Sequence, residues 1–208
     1  MKTMKFSLKL SILICLGIFA IQHVYAMGDG DVLNEDSIQM AYPFELKDKD
    51  GKLVRMEDFR GKVVVLDFWF KGCVPCMLLG EPLGQIRKYY QSNPEVVFID
   101  VNLDDNVDVW LNSLKNGGTV QKKRRHYTDS LSISVSTAPA GFDHEITKYY
   151  KFNGVPTLII INKKGEILER NPPRPLSEKN GIESVGSLKF KMLINEYLLS
   201  YSKKSRAQ

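Results

Sequence analysis

The residues with the clearest chemical capacity are two cysteines, Cys73 and Cys76, with Val74 and Pro75 between them. Cys73 stands at the expected start of a helix, where unpaired backbone N–H groups and the helix dipole favour a negative charge. This placement predicts that the Cys73 thiol has a pKa below its usual value of about 8.5, so that a thiolate can attack disulfides. Side chains three residues apart on a helix are neighbours, so Cys76, expected to be the less exposed, can resolve a mixed disulfide at Cys73.

Two other uses of the cysteine pair are a structural crosslink and a zinc site. A disulfide that closes a ring of about four residues stabilises a fold by roughly 2 kcal/mol, against about 4.7 kcal/mol for a 100-residue loop. Zinc needs two further ligands at a recognisable spacing, and His126 and His144 are isolated in the sequence. Redox chemistry is therefore favoured, and neither a metal nor a cofactor is predicted.

Residues 1–26 are predicted to be a secretory signal peptide. Three lysines precede an apolar run over residues 10–21, and Val24-Tyr25-Ala26 offers a small-residue cleavage pattern. A retained membrane anchor is the alternative, although about a dozen apolar residues fall short of the roughly 20 that span a bilayer. Cleavage would remove the third cysteine, Cys15, and leave the pair in a periplasmic or other extracytoplasmic compartment, where disulfide chemistry persists.

Composition and charge exclude several classes of protein. Of the 208 residues, 43% are hydrophobic and 25% charged, which is typical of a globular chain and not of a disordered or fibrous one. Three of the 29 lysines and arginines lie in residues 1–26, which hold no acid, so 26 basic residues face 24 acidic ones beyond them. A surplus this small gives no indication of nucleic-acid binding.

The alternation of strands and helices predicts one α/β domain over residues 41–202, after a flexible leader at 27–40 and before a tail at 203–208. Hydrophobic periodicity and turn residues predict strands at 42–47, 53–55, 63–70, 96–101, 157–162 and 166–170. They predict a helical turn at 56–61 and helices at 74–91, 107–114, 142–150 and 187–201. Residues 119–141 have no interpretable pattern, and the basic run at 122–125 is interpreted as a solvated face.

Two segments of the chain resemble the thioredoxin superfamily. One is Asp67-Phe68-Trp69 followed by Cys73-Val74-Pro75-Cys76, and the other is Asn153-Gly154-Val155-Pro156-Thr157-Leu158. The exported TlpA/ResA type is the most similar branch, on the basis of Pro43-Phe44-Glu45-Leu46, residues 57–64 and the extra segment before Pro156. The likeness runs from residue 42 to 199. It implies a thioredoxin fold, with a central mixed β-sheet flanked by helices and an N-terminal β-hairpin extension.

The resemblance also implies roles for individual residues. Pro156 matches a proline whose preceding peptide bond is cis in this family, with a trans proline at the start of a strand as the alternative. The Val155 backbone would then lie beside Cys73, where a substrate strand can pair with it. Trp69 is placed with these two residues on the substrate-binding side, where packing is its expected contribution.

Asp67 matches the buried acid of cytoplasmic-type thioredoxins. Its neighbours along the strand are apolar, so desolvation is expected to raise its pKa and fit it to move protons to and from Cys76. An acid satisfied by backbone donors at the strand end is the alternative. Two positions depart from the family: Gly72 replaces a bulky aromatic residue, which opens the approach to Cys73, and Glu81 is too displaced to be given the family's acid role.

The resulting hypothesis is an extracytoplasmic protein-disulfide reductase, kept reduced by a membrane electron donor and tethered to the membrane if the signal is retained. Protein thiols and disulfides are the expected partners. A thiol peroxidase is one alternative, because the first hairpin and first buried strand also resemble peroxiredoxins. A copper carrier is another, and it would need a third ligand such as His144 near the cysteines.

Overall fold

The computed structural model of the protein describes residues 38–151 and 154–205. The strands are β1 (Glu45–Asp48), β2 (Leu53–Arg55), β3 (Val63–Trp69), β4 (Val96–Asn102), β5 (Gly118–Val120), β6 (Lys123–Arg125), β7 (Ile133–Ser136), β8 (Thr157–Ile161) and β9 (Ile167–Arg170). The α-helices are α1 (Val74–Tyr90), α2 (Val107–Asn116), α3 (Glu145–Tyr150) and α4 (Val185–Ser205), with 3-10 turns at Met56–Phe59 and Gly141–Asp143.

Seven strands form a mixed sheet in the order β2-β1-β7-β4-β3-β8-β9. The central strand, β3, is buried along its whole length, between parallel β4 and antiparallel β8. A strand covered on both faces is rich in apolar residues, and residues 63–70 show this pattern except at Asp67. The predicted mixed sheet, its flanking helices and the N-terminal β1–β2 hairpin are confirmed.

Alternate side chains of β3 enter two different apolar layers. Val65 belongs to the layer that contains Leu83 of α1 and Phe190 of α4. Leu66 belongs to the opposite layer, with residues of the β1–β2 hairpin and with Ile146 of α3. By the same alternation Asp67 and Trp69 lie on the α1 face, so the end of β3 and the start of α1 delimit one site.

The chain between α2 and β7 forms structure that the sequence pattern did not predict. Here β5 and β6 make a separate two-stranded sheet, and β7 then joins the main sheet between β1 and β4. We refer to residues 117–132 as the α2–β7 segment. The helix before it runs two residues past the predicted end at 114 and closes at Gly117, which takes a φ of 61° and whose N–H donates to the Ser113 carbonyl oxygen.

Two helix predictions needed correction. The helix expected over 142–150 is interrupted at His144, whose extended backbone separates the 3-10 turn from α3 and whose Nδ1 accepts the Ile146 N–H. The last helix extends beyond the predicted bounds at both ends. No helix within the described ranges is long and apolar enough to cross a membrane.

The end of the predicted leader is attached to the domain. The Gln39 carbonyl oxygen accepts the Ile167 N–H at 2.7 Å, and Met40 forms a β-bridge with Glu166. Residues 39 and 40, which were expected to belong to a flexible leader, are therefore held against the domain by backbone hydrogen bonds. Of the predicted tail over 203–208, residues 203–205 belong to α4. The predicted signal peptide, the leader over residues 27–37 and the last three residues of the tail lie outside the described residues.

Candidate active site

Cys73 and Cys76 form a disulfide at the N-terminus of α1. Their Cα atoms are 5.2 Å apart, and Cys73 is the N-cap residue, with an extended backbone. Its Sγ accepts the Cys76 N–H at 3.1 Å, so a free backbone donor of the helix already points at this sulfur. Pro75 occupies the first turn, where the missing N–H costs no helical hydrogen bond. Both cysteines are buried. In the reduced protein, the partial positive charge of the helix N-terminus would stabilise a Cys73 thiolate.

The backbone of Val155 faces Cys73 from the loop before β8. The Val155 carbonyl oxygen lies 3.8 Å from the Cys73 Sγ, and the Val155–Pro156 peptide bond is cis, as the resemblance implied. Pro156 is buried, and its carbonyl oxygen accepts a hydrogen bond from Arg174 at 3.0 Å. Val155 is partly exposed, so its backbone is placed where a bound peptide would pass the sulfur. Asn153 of the same motif lies outside the described residues.

Three successive N–H groups fix the turn that leads into Cys73. The Lys71 N–H donates to the Asp104 carboxylate at 3.0 Å, the Gly72 N–H to the Tyr127 hydroxyl at 2.7 Å, and the Cys73 N–H to the Phe70 carbonyl oxygen at 3.2 Å. Every backbone donor of the turn therefore has an acceptor. None of the three acceptors is the Cys73 sulfur.

Trp69 packs beside the cysteines. Its side chain is buried and stacks on Tyr127, with ring centroids 4.4 Å apart and an interplanar angle of 17°. Trp69, Tyr127 and Trp110 of α2 share one apolar cluster with Cys73 and Cys76. The aromatic side chains thus exclude water from the inner side of the disulfide.

Tyr127 was missed by the sequence reasoning because residues 119–141 showed no pattern. The available signals were an aromatic residue within a polar stretch and a glycine at position 80 of the expected helix. A Cβ on Gly80 would lie 2.3 Å from the His126 carbonyl oxygen and 3.2 Å from that of Tyr127. The α2–β7 segment therefore lies directly against α1, and only glycine permits that approach.

Asp67 lies beneath the site in a buried cluster of charges. Its Oδ2 is 3.6 Å from Arg87 Nη2, while its Oδ1 has no hydrogen-bond partner within the described part of the chain. The same Arg87 nitrogen is 2.6 Å from Asp100 of β4, which is the neighbour of Asp67 in the parallel register. The other end of the guanidinium is 3.3 Å from Asp129. The Ser132 hydroxyl hydrogen-bonds the second Asp100 oxygen.

Burial dominates the titration of both strand acids. Desolvation raises the pKa of Asp67 well above its usual range, and the Asp100 charge adds to this, while Arg87 opposes it. Desolvation also raises the pKa of Asp100 to about 6, again against the attraction of Arg87. The predicted rise at Asp67 is confirmed in direction. Its neighbours along the strand are apolar, as the sequence shows, but an arginine from α1 and a second acid from β4 share its pocket.

The match to known protein families decides the identity of the fold. Residues 61–167 match a family model described as Thioredoxin-like. They run from two residues before β3 to the first residue of β9, and they include both cysteines and Pro156.

The chain belongs to the thioredoxin-like family.

Individual relatives of this thioredoxin-like protein carry related names. This chain is 28% identical over 127 residues to the thiol-disulfide oxidoreductase ResA of Bacillus thuringiensis subsp. konkukian, and the match covers 61% of this chain and 64% of the relative. It is 28% identical over 128 residues to the sporulation thiol-disulfide oxidoreductase A of Bacillus subtilis, covering 60% and 67%. The match thus spans less than two thirds of ResA. The predicted resemblance to the TlpA/ResA type is confirmed.

Solved structures agree with the fold. A candidate thiol-disulfide oxidoreductase from Bacteroides vulgatus has a TM-score of 0.56 and 25% identity, covering 76% of this chain and 94% of that one. A thiol-disulfide oxidoreductase from Bacteroides fragilis has a TM-score of 0.56 and 24% identity, covering 74% and 99%. The second likeness, under 25% identity, is evidence for the fold alone.

Other candidate residues of the thioredoxin-like protein have local partners. Glu81 forms an exposed ion pair with Arg125 at 2.8 Å, consistent with giving it no acid role. His144, the possible third copper ligand, uses Nδ1 to cap α3. Within residues 38–151 and 154–205, no group of three or more His, Cys, Asp or Glu side chains is arranged to hold a metal. In the basic run, Lys122 and Lys123 are exposed, as a solvated face requires.

Proposed function

We propose that this thioredoxin-like protein is an extracytoplasmic thiol–disulfide oxidoreductase that reduces disulfides in protein substrates through Cys73 and Cys76. The observation that carries the proposal is the cysteine pair at the N-terminus of α1, with the Cys73 sulfur 3.8 Å from the Val155 carbonyl oxygen. The names of the matched relatives support the same class of reaction.

In the proposed reaction the reduced protein transfers two electrons to a substrate disulfide. The Cys73 thiolate attacks one substrate sulfur, forms a mixed disulfide and releases the other substrate sulfur as a thiolate that takes up a proton. Cys76 then loses its proton and attacks Cys73 Sγ. This step forms the Cys73–Cys76 disulfide and releases the second substrate sulfur as a thiolate, which also takes up a proton from solvent. A membrane electron donor returns two electrons to the pair, which restores the Cys73 thiolate and the Cys76 thiol.

Asp67 is proposed to accept the Cys76 proton and return it on re-reduction. Its raised pKa suits this role, since a carboxyl of ordinary acidity would hold no proton near neutral pH. The Oδ1 atom, which has no partner among the described residues, is the candidate acceptor. The Arg87 charge, 3.6 Å from Asp67, would lower the affinity of Asp67 for the proton, and the Asp100 charge would raise it.

Substrates are proposed to bind along Val155 and Pro156 as an added strand, with main-chain hydrogen bonds to the Val155 backbone. Two exposed apolar side chains, Val74 and Phe142, are available for contact with a peptide. Phe142 is held edge-on against Phe70, with ring centroids 5.4 Å apart. Trp69 would support this surface from beneath, because its own side chain is buried.

Export is proposed from the signal-like residues 1–26. Intact-mass measurement of the protein recovered from an expressing bacterium tests this. A mature chain that starts at Met27 is expected. A chain that retains Met1 in the membrane fraction would establish a tether instead.

Reduction of insulin disulfides, with dithiothreitol as electron source, tests the activity. Cys73→Ser is expected to abolish exchange, and Cys76→Ser to accumulate mixed disulfides with trapped partner proteins, because only Cys73 is placed at the helix terminus. Faster alkylation of Cys76 than of Cys73 at neutral pH would refute this assignment. Peroxide turnover, or copper retained after purification, would identify the peroxidase or the copper carrier instead.

A further inference from the structure

We propose that Tyr127, in the α2–β7 segment, is a positioning residue that holds Cys73 in its reactive geometry. The inference rests on the proposed function and adds to it an element outside both cysteine and proline motifs. Two interactions place Tyr127 at the site: its hydroxyl accepts the Gly72 N–H at 2.7 Å, and its ring stacks on Trp69. The hydrogen bond acts on the turn before the nucleophile.

The hydrogen bond matters because Gly72 is the residue directly before the helix cap. Its N–H is directed to Tyr127, while the N–H groups on either side are directed to Asp104 and Phe70. The turn is thereby fixed, and the Cys73 sulfur stays 3.1 Å from the Cys76 N–H. If Gly72 were released, Cys73 could rotate away from the helix terminus that stabilises its thiolate.

The position of Tyr127 is itself determined by contact of the α2–β7 segment with α1. The close approach at Gly80 brings the His126 and Tyr127 carbonyl oxygens onto the helix. A Cβ on Gly118 would lie 2.4 Å from the Met77 sulfur and 3.3 Å from the Tyr127 hydroxyl. Tyr127 therefore lies between α1, which carries Cys76, and Trp69 at the end of β3.

Tyr127→Phe tests the proposal, because it removes one oxygen and keeps the ring. Tyr150→Phe is the matched control: Tyr150 is 3% exposed, like Tyr127, and its hydroxyl accepts the Tyr42 N–H at 3.1 Å in a different apolar layer. The measurement is the alkylation rate of Cys73 in the reduced protein from pH 5 to 9, with insulin reduction measured alongside. Neither substitution changes Asp104 or Lys71, the charged residues at the turn, so a shift seen in one variant does not come from a change in these charges.

We expect Tyr127→Phe to move the alkylation midpoint upward and to slow alkylation at pH 7 by about three- to tenfold, while Tyr150→Phe keeps the wild-type profile. An unchanged midpoint in a folded Tyr127→Phe protein would overturn the proposal. So would an equal shift in both variants, since that would be a general effect of lost stability. If the wild-type protein reduces no insulin but the midpoint still shifts in Tyr127→Phe alone, the proposed function fails and the positioning role of Tyr127 stands.

Discussion

Arg87 Nη2 lies 2.6 Å from Asp100 Oδ1, and neither side chain is exposed to solvent. The pair connects the active-site helix to the strand beside Asp67. A buried ion pair contributes little net stability when compared with an apolar replacement of both partners, but the loss of one partner leaves an uncompensated charge. Arg87 has three carboxylates within 4 Å, so its removal is the more damaging change.

Arg87→Met is therefore expected to lower the free energy of unfolding by about 3–5 kcal/mol at pH 7. The loss should be smaller at pH 5, because carboxyls with a raised pKa regain protons as the pH falls, and the neutral forms tolerate burial. Urea unfolding at both pH values measures this. Arg125→Met, which breaks a surface pair with Glu81, is the control and should cost about 1 kcal/mol or less. Equal losses in the two variants would contradict the account.

Asp67→Asn is expected to separate activity from stability. Exchange should slow by roughly tenfold to a hundredfold near pH 7, since the proton acceptor for Cys76 is lost. An unchanged exchange rate between pH 6 and 8 would end the proposed role of Asp67.

Stability should change in the opposite direction in Asp67→Asn. The folded state holds the Asp67 proton more tightly than the unfolded chain, where the carboxyl titrates near 3.9, so Asp67 contributes most below that pH and costs stability as pH rises toward its raised folded pKa. The variant should be more stable than wild type by roughly 1–3 kcal/mol at pH 7. The difference should shrink toward pH 4, which thermal unfolding across this range would measure.

Gly80→Ala is expected to destabilise the protein although alanine favours helices. The gain in helix propensity is about 1 kcal/mol, but the new Cβ would meet backbone oxygens of the α2–β7 segment, and overpacking of this kind costs about 1–3 kcal/mol. Gly84→Ala on the same helix is the comparison: its Cβ would meet the α2–β7 segment only at the end of the Asp129 side chain, which can move, so a smaller loss is expected. A Gly80→Ala protein that unfolds at or above the wild-type midpoint would show that the segment does not restrict α1 at Gly80.

The reduction potential is expected to lie nearer that of thioredoxin, about −270 mV, than the −120 mV of strong oxidants. Val74 and Pro75 bring no donor or positive charge to the Cys73 sulfur, so the thiolate depends mainly on the helix terminus and the reduced form gains less stability. Equilibration with glutathione or dithiothreitol buffers measures the potential. A value above about −180 mV would make the protein an oxidase or isomerase.

The parts of the site that the sequence predicts are those determined by residues close together in the chain. The apolar run over 63–70 predicts a buried strand, and the cysteine spacing predicts two sulfurs on one helical turn. The placement of Val155 beside Cys73 came from the family resemblance, since nothing local relates residues 82 positions apart.

The charged cluster could have been predicted in part. Asp67 and Asp100 each interrupt an apolar run at the same place in neighbouring parallel strands, which indicates two adjacent buried acids that need a cation. The cation was not predictable, because Arg87 near the end of a helix has the pattern of a surface residue. Tyr127 depends on the docking of a short polar hairpin, and neither hydrophobic periodicity nor turn chemistry specifies where such a hairpin lies.

The backbone at Gly72 limits how this active site could be altered by substitution. Its φ is 95°, and apart from residues 71–73 no described atom lies within 4 Å of the position that a Cβ would take. The barrier to a larger residue is thus the dihedral angle and not the neighbours. Giving this protein the bulky aromatic residue found in typical thioredoxins would therefore require a graft of the whole turn from residue 70 to 72, since a single codon change would leave the new side chain on an incompatible backbone.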